Sequence, residues 1–488
     1  MSAISGIVYS NAAAKFPSSL LPKDIKWYPV IGHLMIFDEF RSKAHDMWLK
    51  LARENDFKSF FLSFPGMSFF SAQDEADRRY ILKDNWHNYQ KNYNSKLGFK
   101  PVFAELLGDG IFNVDGDEWL VHRKIASKLF TGKNMSNIMS TSFQKHGEIL
   151  RDALLSTKQE FDIQSMLQAL VFDAFCEIAL GESPNSFEKS LRGEKDAFLV
   201  AFDTAQNVTT ERFYNPPIIR EFKKFFSLGV EKEYHASLQI IDNFVENIIQ
   251  ARLCKKESTE FTDMLGLYIA EAKAKGKEKE ILNLGYLRDM VINILIAGRD
   301  TTAFTLTNMI ALLAENPQVE EQFVKEATAR VGSPDFLSQR VNTFQLGDAV
   351  FYEALRMYPS VANDLRFCQE DDVLPSGIHI PKGTLVFINN QACGRNPLYS
   401  KSPDSFLPER WLHNGVCEKP DEYRFPFFWA GNRICLGKDM ARLESKIISS
   451  ILFESLKFST SRPRIEESLV TPVMFYKHGV HLYAEPRF

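Results

Sequence analysis

A loop around Cys435 restricts what this chain can fold into more than any other part of its sequence. It reads Phe428-Trp429-Ala430-Gly431-Asn432-Arg433-Ile434-Cys435-Leu436-Gly437, which is the pattern F-x-x-G-x-R-x-C-x-G. A predicted helix, Lys438–Phe453, follows directly, so the sulfur lies near a helix N-terminus, where backbone N–H groups stabilise a thiolate. Gly431 and Gly437 permit tight turns and the close approach of a flat ligand.

The same loop carries two further groups that suit a metal macrocycle. Arg433 offers a planar fork that matches a carboxylate such as a haem propionate, and Phe428 can shield the sulfur from water. The loop therefore favours an anionic sulfur ligand to a metal macrocycle over the alternative, a buried structural cysteine.

The other cysteines and the composition exclude several classes of protein. The six Cys residues of this 488-residue chain show no CxxC or other zinc spacing, which argues against a disulfide framework and a structural zinc site. Hydrophobic residues make up 45% and charged residues 25%, as in soluble globular proteins, and the net charge of −4 gives no reason to expect a nucleic-acid partner. The 41 Phe residues suit an enclosed apolar ligand and ordinary core filling equally well.

Helical patterns dominate the chain from about residue 118 to residue 330. Predicted helices cover Glu118–Phe130, Met166–Ala179, Lys232–Leu253, Leu284–Glu315 and Leu346–Met357, the last two ending close to prolines. Short predicted strands cover Ser59–Phe64, Val373–Pro375, Gly377–Ile380 and Thr384–Ile388. No linker is visible, so we predict a mainly α single domain with small β-sheets over residues 26–488, preceded by an N-terminal tail, residues 1–25.

No membrane span is predicted within this pattern. Residues Met1–Pro22 hold no apolar stretch long enough for a transmembrane helix or a signal peptide. The apolar run Met290–Ala314 carries Arg299 and Asp300 near its centre, which indicates a core helix with a functional interruption.

Three more motifs bring chemistry to predicted helices. Glu353 and Arg356 form E-x-x-R, whose charges lie on one helix face and can pair. Trp119 and Arg123 form W-x-x-x-R, also on one face. The run 297–302, Ala-Gly-Arg-Asp-Thr-Thr, places a charged pair and a threonine in an apolar helix, where the hydroxyl can bond the carbonyl four residues back.

Together these motifs resemble those of the cytochrome P-450 superfamily of haem-thiolate monooxygenases, over nearly the whole chain. The resemblance implies the cytochrome P-450 fold, with haem between the long central helix and the cysteine-loop helix and with Cys435 as the axial iron ligand. The implied reaction inserts one atom of O2 into a lipophilic substrate, with electrons from NADPH through a separate reductase. Some ω-hydroxylases esterify their haem through a glutamate where this chain has Ala297, so the haem b is expected to be non-covalent.

The resemblance also assigns roles to individual residues. Asp300 and Thr301 are expected to relay protons to dioxygen. Glu353, Arg356 and Arg410, of the segment Pro-Glu-Arg-Trp, are expected to form a buried triad. The implied cofactor-binding residues are Trp119, Arg123, Ala297, Gly298, Arg366, Phe428, Gly431, Arg433, Cys435 and Gly437, with a solvated surface arginine as the alternative for Arg366.

Several stretches are more closely similar to the fatty-acid ω-hydroxylase branch of plants and yeasts, among them residues 110–116, 297–302 and 371–375. This similarity implies hydroxylation at or near the terminal carbon of a medium- or long-chain fatty acid. The implied pocket walls are Phe99, Phe103, Leu107, Ile111, Val361, Ala362 and Val473. The alternatives are a sterol or terpenoid hydroxylase, an isomerase or dehydratase of lipid hydroperoxides, and a non-catalytic haem sensor.

Two surfaces suit the expected partners. Lys124, Lys128 and Lys133, with Lys438 and Arg442, form a basic patch that suits an acidic reductase or is merely solvated. Residues 220–228 are basic and amphipathic, which suits peripheral contact with a membrane or a solvated helix face. The expected location is the surface of the endoplasmic reticulum or of another membrane, with cytosolic and organellar locations left open.

Overall fold

Helices form most of the chain. The computed structural model describes residues 16–28, 31–93, 98–128, 130–131, 138–214, 217–254, 263–266, 268–269, 283–329, 343–460, 464 and 466–488. Among them the α-helices are α1 (Phe37–Glu54), α2 (Glu75–Arg79), α3 (Lys100–Leu107), α4 (Gly116–Ala126), α5 (Ser140–Ser156), α6 (Ile163–Leu180), α7 (Ser186–Leu191), α8 (Ala197–Tyr214), α9 (Pro217–Phe225), α10 (Glu231–Cys254), α11 (Leu284–Glu315), α12 (Pro317–Thr328), α13 (Gln345–Met357), α14 (Asn390–Arg395) and α15 (Lys438–Ser455).

The longest helix, α11, runs through the middle of the fold. Its first turn is capped by Asn283, whose side chain accepts a hydrogen bond from the Tyr286 N–H, and it ends just before Pro317. Nearly all of its residues between Leu287 and Leu313 are buried, because α6, α10, α13 and α15 pack around it. The predicted bounds of this helix are confirmed.

The strands form small sheets at the edge of the helical body. They are β1 (Phe60–Phe64), β2 (Met67–Ser71), β3 (Tyr89–Gln90), β4 (Phe161–Asp162), β5 (Asn363–Cys368), β6 (Asp372–Val373), β7 (His379–Ile380), β8 (Leu385–Asn389), β9 (Leu412–His413), β10 (Val416–Cys417), β11 (Leu456–Ser459) and β12 (His481–Pro486).

The largest sheet has the order β1-β2-β8-β5-β3, with β2 parallel to β8 and the other pairs antiparallel. The predicted mainly α fold with small sheets is confirmed.

Helix α6 is long and apolar enough to cross a membrane, but 78% of it is buried inside the protein, and no other described helix meets that criterion. It begins at the cap Asp162 and ends at Gly181, whose φ of 78° closes the helix. It packs along α11 and α5, so its apolar composition serves the core.

The predicted tail, residues 1–25, is not separate from the domain over its whole length. Residues 1–15 lie outside the described residues. The ring of Phe16 stacks on Phe61 of β1 with a centroid distance of 3.9 Å, and Leu20 and Leu21 pack against the same sheet.

Candidate active site

A large apolar cavity lies between α11, α3, α8 and the main sheet. Its volume is about 220 Å³. Most of its walls are aromatic or aliphatic. The lining residues are His45, Trp48, Lys91, Phe99, Phe103, Leu107, Phe112, Thr210, Phe213, Ile296, Ala297, Thr301, Val361, Asn363, Asp364, Leu365, Phe387, Trp429, Val470, Thr471, Pro472 and Val473.

Helix α11 opens onto this cavity at one short stripe. Ala297 is exposed and Thr301 is partly exposed, although their neighbours along the helix are buried. The Thr301 hydroxyl donates a 2.7 Å hydrogen bond to the Ala297 carbonyl, four residues back. Positions i and i+4 share a helix face, so both predicted residues look into the cavity.

Gly298 and Asp300 lie on other faces of the same helix. A Cβ atom on Gly298 would stand 2.2 Å from the ring of Phe175, so this glycine serves the packing of α6 on α11. The cofactor contact expected for Gly298 stays a prediction.

Asp300 is fully buried and accepts a 2.8 Å hydrogen bond from Gln206 of α8. Burial raises the pKa of Asp300 to about 6, although the adjacent Arg299 favours the charged form. Arg299 also donates a 2.7 Å hydrogen bond to Asp203, whose side chain is 47% exposed. The charged groups of Asp203, Arg299 and Asp300 therefore form a row from the surface at α8 to the part of α11 next to Thr301.

Cys435 lies at the start of a short link into α15. Its side chain is accessible, yet the surrounding protein desolvates it and raises the pKa of the thiol. The backbone N–H of Gly437 and the Arg123 cation act in the opposite direction and favour the thiolate.

The glycines of this loop act differently from each other. Gly431 has φ +65°, and a Cβ there would stand 2.2 Å from the Leu82 carbonyl, so the protein backbone itself approaches this glycine closely. The approach of a flat ligand stays a prediction. A Cβ on Gly437 would meet only the Cys435 sulfur and Phe130 at ordinary contact distances. Phe428 stacks on Phe351 and accepts the Cys435 N–H at 2.8 Å through its carbonyl.

Trp429 adopts an unusual conformation beside the cysteine. Its φ is +58°, a region that bulky residues rarely occupy and that costs about 1–3 kcal/mol. Its side chain lines the large cavity and also a smaller pocket with Lys438 and Arg442 on the other side of the loop.

Four cations gather near the cavity and outnumber the carboxylates beside them. Arg433 packs 4.5 Å from the Trp119 ring centroid and is hydrogen-bonded to Asp115 and to the Val114 carbonyl. Burial, with the neighbouring Arg366, lowers the pKa of Arg433 to about 10. The cluster contains Lys91, Arg123, Arg366 and Arg433 against Asp115 and Asp364.

Arg366 is 4% exposed and pairs with Asp364, so the surface-arginine alternative is wrong. Sequence reasoning missed Lys91 because no motif surrounds it. Asp115 lies four residues before Trp119, and this position could have identified it from the sequence.

The predicted charged triad forms under the cysteine loop. Glu353 accepts hydrogen bonds from Arg356 at 2.8 and 2.9 Å and from Arg410 at 3.0 Å. Trp411 Nε1 and the Leu407 N–H also donate to the same carboxylate, each at 2.9 Å. Glu353 and Arg356 are completely buried, so this network fixes the segment around residue 410 against α13.

Some of the residues implied as pocket walls line the cavity and others do not. Phe99, Phe103, Leu107, Val361 and Val473 line the cavity. Ala362 is fully buried in the core beneath it, where its carbonyl accepts the Asn390 N–H at 2.8 Å, so its side chain is not a wall. Ile111 is absent from the lining, and the next residue, Phe112, takes its place.

Comparison with known proteins places this geometry in a family. The family model described as Cytochrome P450 matches residues 22–480. This chain belongs to the cytochrome P450 family. Cytochrome P450 94A1 of Vicia sativa is 32% identical, over 88% of this chain and 83% of its own length. Cytochrome P450 704B1 of Arabidopsis thaliana is 31% identical, over 95% and 94% respectively.

A solved structure shows the same fold. The crystal structure of the cytochrome P450DA heme domain matches with a TM-score of 0.81 and 21% identity, covering 95% of this chain and 97% of that chain. Cytochrome P450 proteins are monooxygenases that bind haem non-covalently through an axial cysteine and use O2 and NADPH through a reductase.

The residues present here fit a haem. Cys435 provides an accessible, desolvated thiol, and the guanidinium groups of Arg123, Arg366 and Arg433 lie close together, which suits the propionates of the macrocycle.

Proposed function

We propose that this cytochrome P450 hydroxylates fatty acids at or near the terminal carbon. The observation that carries the proposal is the long series of apolar walls that leads to the Ala297–Thr301 stripe. A flexible alkyl chain gains about 0.8 kcal/mol for each methylene buried there. The similarity of residues 110–116, 297–302 and 371–375 to the ω-hydroxylase branch supports the same substrate class.

In this proposal Cys435 holds the haem iron, and Arg123, Arg366 and Arg433 with Trp119 hold the propionates. The bound haem supplies the activation of dioxygen that amino-acid side chains cannot perform. The protein supplies the sulfur ligand, the apolar pocket and a route for protons.

Thr301 and Asp300 divide the handling of protons between them. The Thr301 hydrogen is engaged by the Ala297 carbonyl, which leaves the hydroxyl lone pairs for a donor in the cavity. Asp300 is turned away from the cavity, where it accepts a hydrogen bond from Gln206 and lies beside the Arg299–Asp203 pair. With a pKa of about 6, Asp300 can gain and lose a proton near neutral pH.

The test is an assay of the reconstituted holoenzyme with a reductase and NADPH. Dodecanoic to octadecenoic acids are supplied, and products are identified by mass spectrometry, with a sterol and a monoterpene in parallel. We expect terminal or near-terminal hydroxy acids and a spectral binding change. The absence of both with every fatty acid refutes the substrate class, and conversion of a lipid hydroperoxide without NADPH would favour an isomerase.

We propose that α9 and the residues after it contact a membrane surface. Most of the exposed side chains there are apolar, although Glu221 and Ser227 are exposed among them. The apolar ones are Ile219, Phe222, Phe225, Phe226 and Leu228. The lysines of the same segment are neutralised by carboxylates, since Lys223 pairs with Glu211 and Lys224 with Glu105. The contact therefore depends on apolar insertion more than on charge, and a location at the endoplasmic reticulum or another membrane surface follows.

Liposome flotation tests this contact. The Phe222→Ser/Phe225→Ser variant should lose binding to neutral phosphatidylcholine vesicles, whereas Leu191→Ser, which removes another exposed apolar side chain, should not. Equal binding of all three proteins would contradict the proposal.

We propose that the reductase docks on the basic patch formed by Lys124, Lys128, Lys438 and Arg442; Lys133 lies outside the described residues. Arg442 also pairs with Asp348 at 3.2 Å, which lowers its share of the patch. Lys124 is exposed, so Lys124→Glu should weaken the complex most at low salt. An unchanged Kd at low ionic strength would contradict this placement.

A further inference from the structure

The cavity contains an amine that no carboxylate of the described chain engages. Lys91 follows β3, and its backbone N–H donates to Asp115 at 3.2 Å while its carbonyl accepts the Phe99 N–H. The ammonium group lies 4.6 Å from the Phe99 ring centroid and 5.6 Å from that of Phe112. Within the described parts of the chain its Nζ forms no hydrogen bond or ion pair.

The nearby carboxylates already have cationic partners. Asp364 pairs with Arg366 and Asp115 pairs with Arg433. These four groups are the charged neighbours of Lys91, and burial lowers the pKa of its amine to about 8. A cation that is desolvated without a counter-ion is costly, and a ligand that brings a negative charge removes that cost.

We propose that Lys91 is the cationic part of a carboxylate-binding site in the wall of the main cavity. Apolar rings of Phe99 and Phe112 flank the amine, so the site accepts a carboxylate attached to methylene groups. That chemistry has two sources, the head group of a fatty acid and a haem propionate. The fatty-acid source rests on the proposed function, whereas the propionate source does not.

The experiment uses the holoenzyme of wild type, Lys91→Met, Lys91→Arg and the matched control Lys83→Met, which removes an exposed lysine of the preceding helical turn. Dodecanoic acid and 1-dodecanol are titrated at pH 7 and pH 9. The rate of haem transfer to apomyoglobin is measured for each protein.

If the ligand is the substrate, Lys91→Met weakens binding of dodecanoic acid by about tenfold or more, the value of a charge-assisted hydrogen bond. Binding of dodecanol then stays within about twofold, Lys91→Arg retains most of the affinity, and wild type binds the acid less well at pH 9, where the amine is neutral.

If the ligand is a propionate, Lys91→Met releases haem about tenfold faster and the ratio of acid to alcohol affinity is unchanged. Either result supports the site and identifies its source. If Lys91→Met and Lys83→Met have the same affinity for dodecanoic acid and the same rate of haem release, the proposal is overturned. If wild type neither binds nor oxidises dodecanoic acid, the proposed function fails, and the haem-release measurement still decides the role of Lys91.

Discussion

Replacement of Glu353 by glutamine is expected to lower the free energy of unfolding by about 3–5 kcal/mol, the cost of removing one partner from a buried ion pair. The carboxylate of Glu353 is shared by two guanidinium groups, those of Arg356 and Arg410. Arg356 is completely buried and its other donors are used by the Gly394, Pro403 and Ser405 carbonyls. Glutamine keeps the volume but leaves the buried Arg356 charge uncompensated.

Urea unfolding followed by tryptophan fluorescence measures this loss, in the haem-free and haem-loaded protein, because bound haem itself stabilises the folded state. The matched control is Glu409→Gln, which changes an exposed carboxylate next to Arg410 and should stay within about 0.5 kcal/mol of wild type. If Glu353→Gln is as stable as Glu409→Gln, the triad does not hold the segment around residue 410, and its geometric role must be abandoned.

Other predictions concern the central helix and the cysteine. Gly298→Ala should lower the free energy of unfolding by about 1–2 kcal/mol despite the better helix propensity of alanine, because the new methyl group overlaps the Phe175 ring. The control is Gly285→Ala, in the exposed first turn of the same helix. Equal stability of the two variants would contradict the packing argument. Folding raises the pKa of Asp300 from 3.8 to about 6, so the free energy of unfolding should fall as pH rises from about 4 to 6. Urea titrations of Asp300→Asn at several pH values should show a smaller dependence of the free energy of unfolding on pH. An unchanged dependence would show that another group causes it. Cys435→Ala should lose the thiolate-type Soret band of the reduced, CO-bound enzyme, and a retained band would disprove the ligand assignment.

The sequence by itself determined the elements whose signals are local. The Cys435 loop, the bounds of α11 and the short strands near residue 380 follow from glycines, prolines, caps and apolar spacing within a few residues of each feature. The pairing of Glu353 with Arg356 also follows, because helix geometry alone brings positions three apart together.

Only the tertiary structure decided which neighbour each residue meets. Gly298 faces Phe175 and Gly431 faces the Leu82 carbonyl, and both partners are far away in the chain. Asp300 turns toward α8 while Thr301 faces the cavity, a distinction that depends on where α8 packs. The lack of a carboxylate partner for Lys91 cannot be predicted from the sequence, because it results from the pairing of Asp115 and Asp364 with other cations. Helix faces can be predicted from periodicity, but the partners of those faces are set by the packing of distant segments.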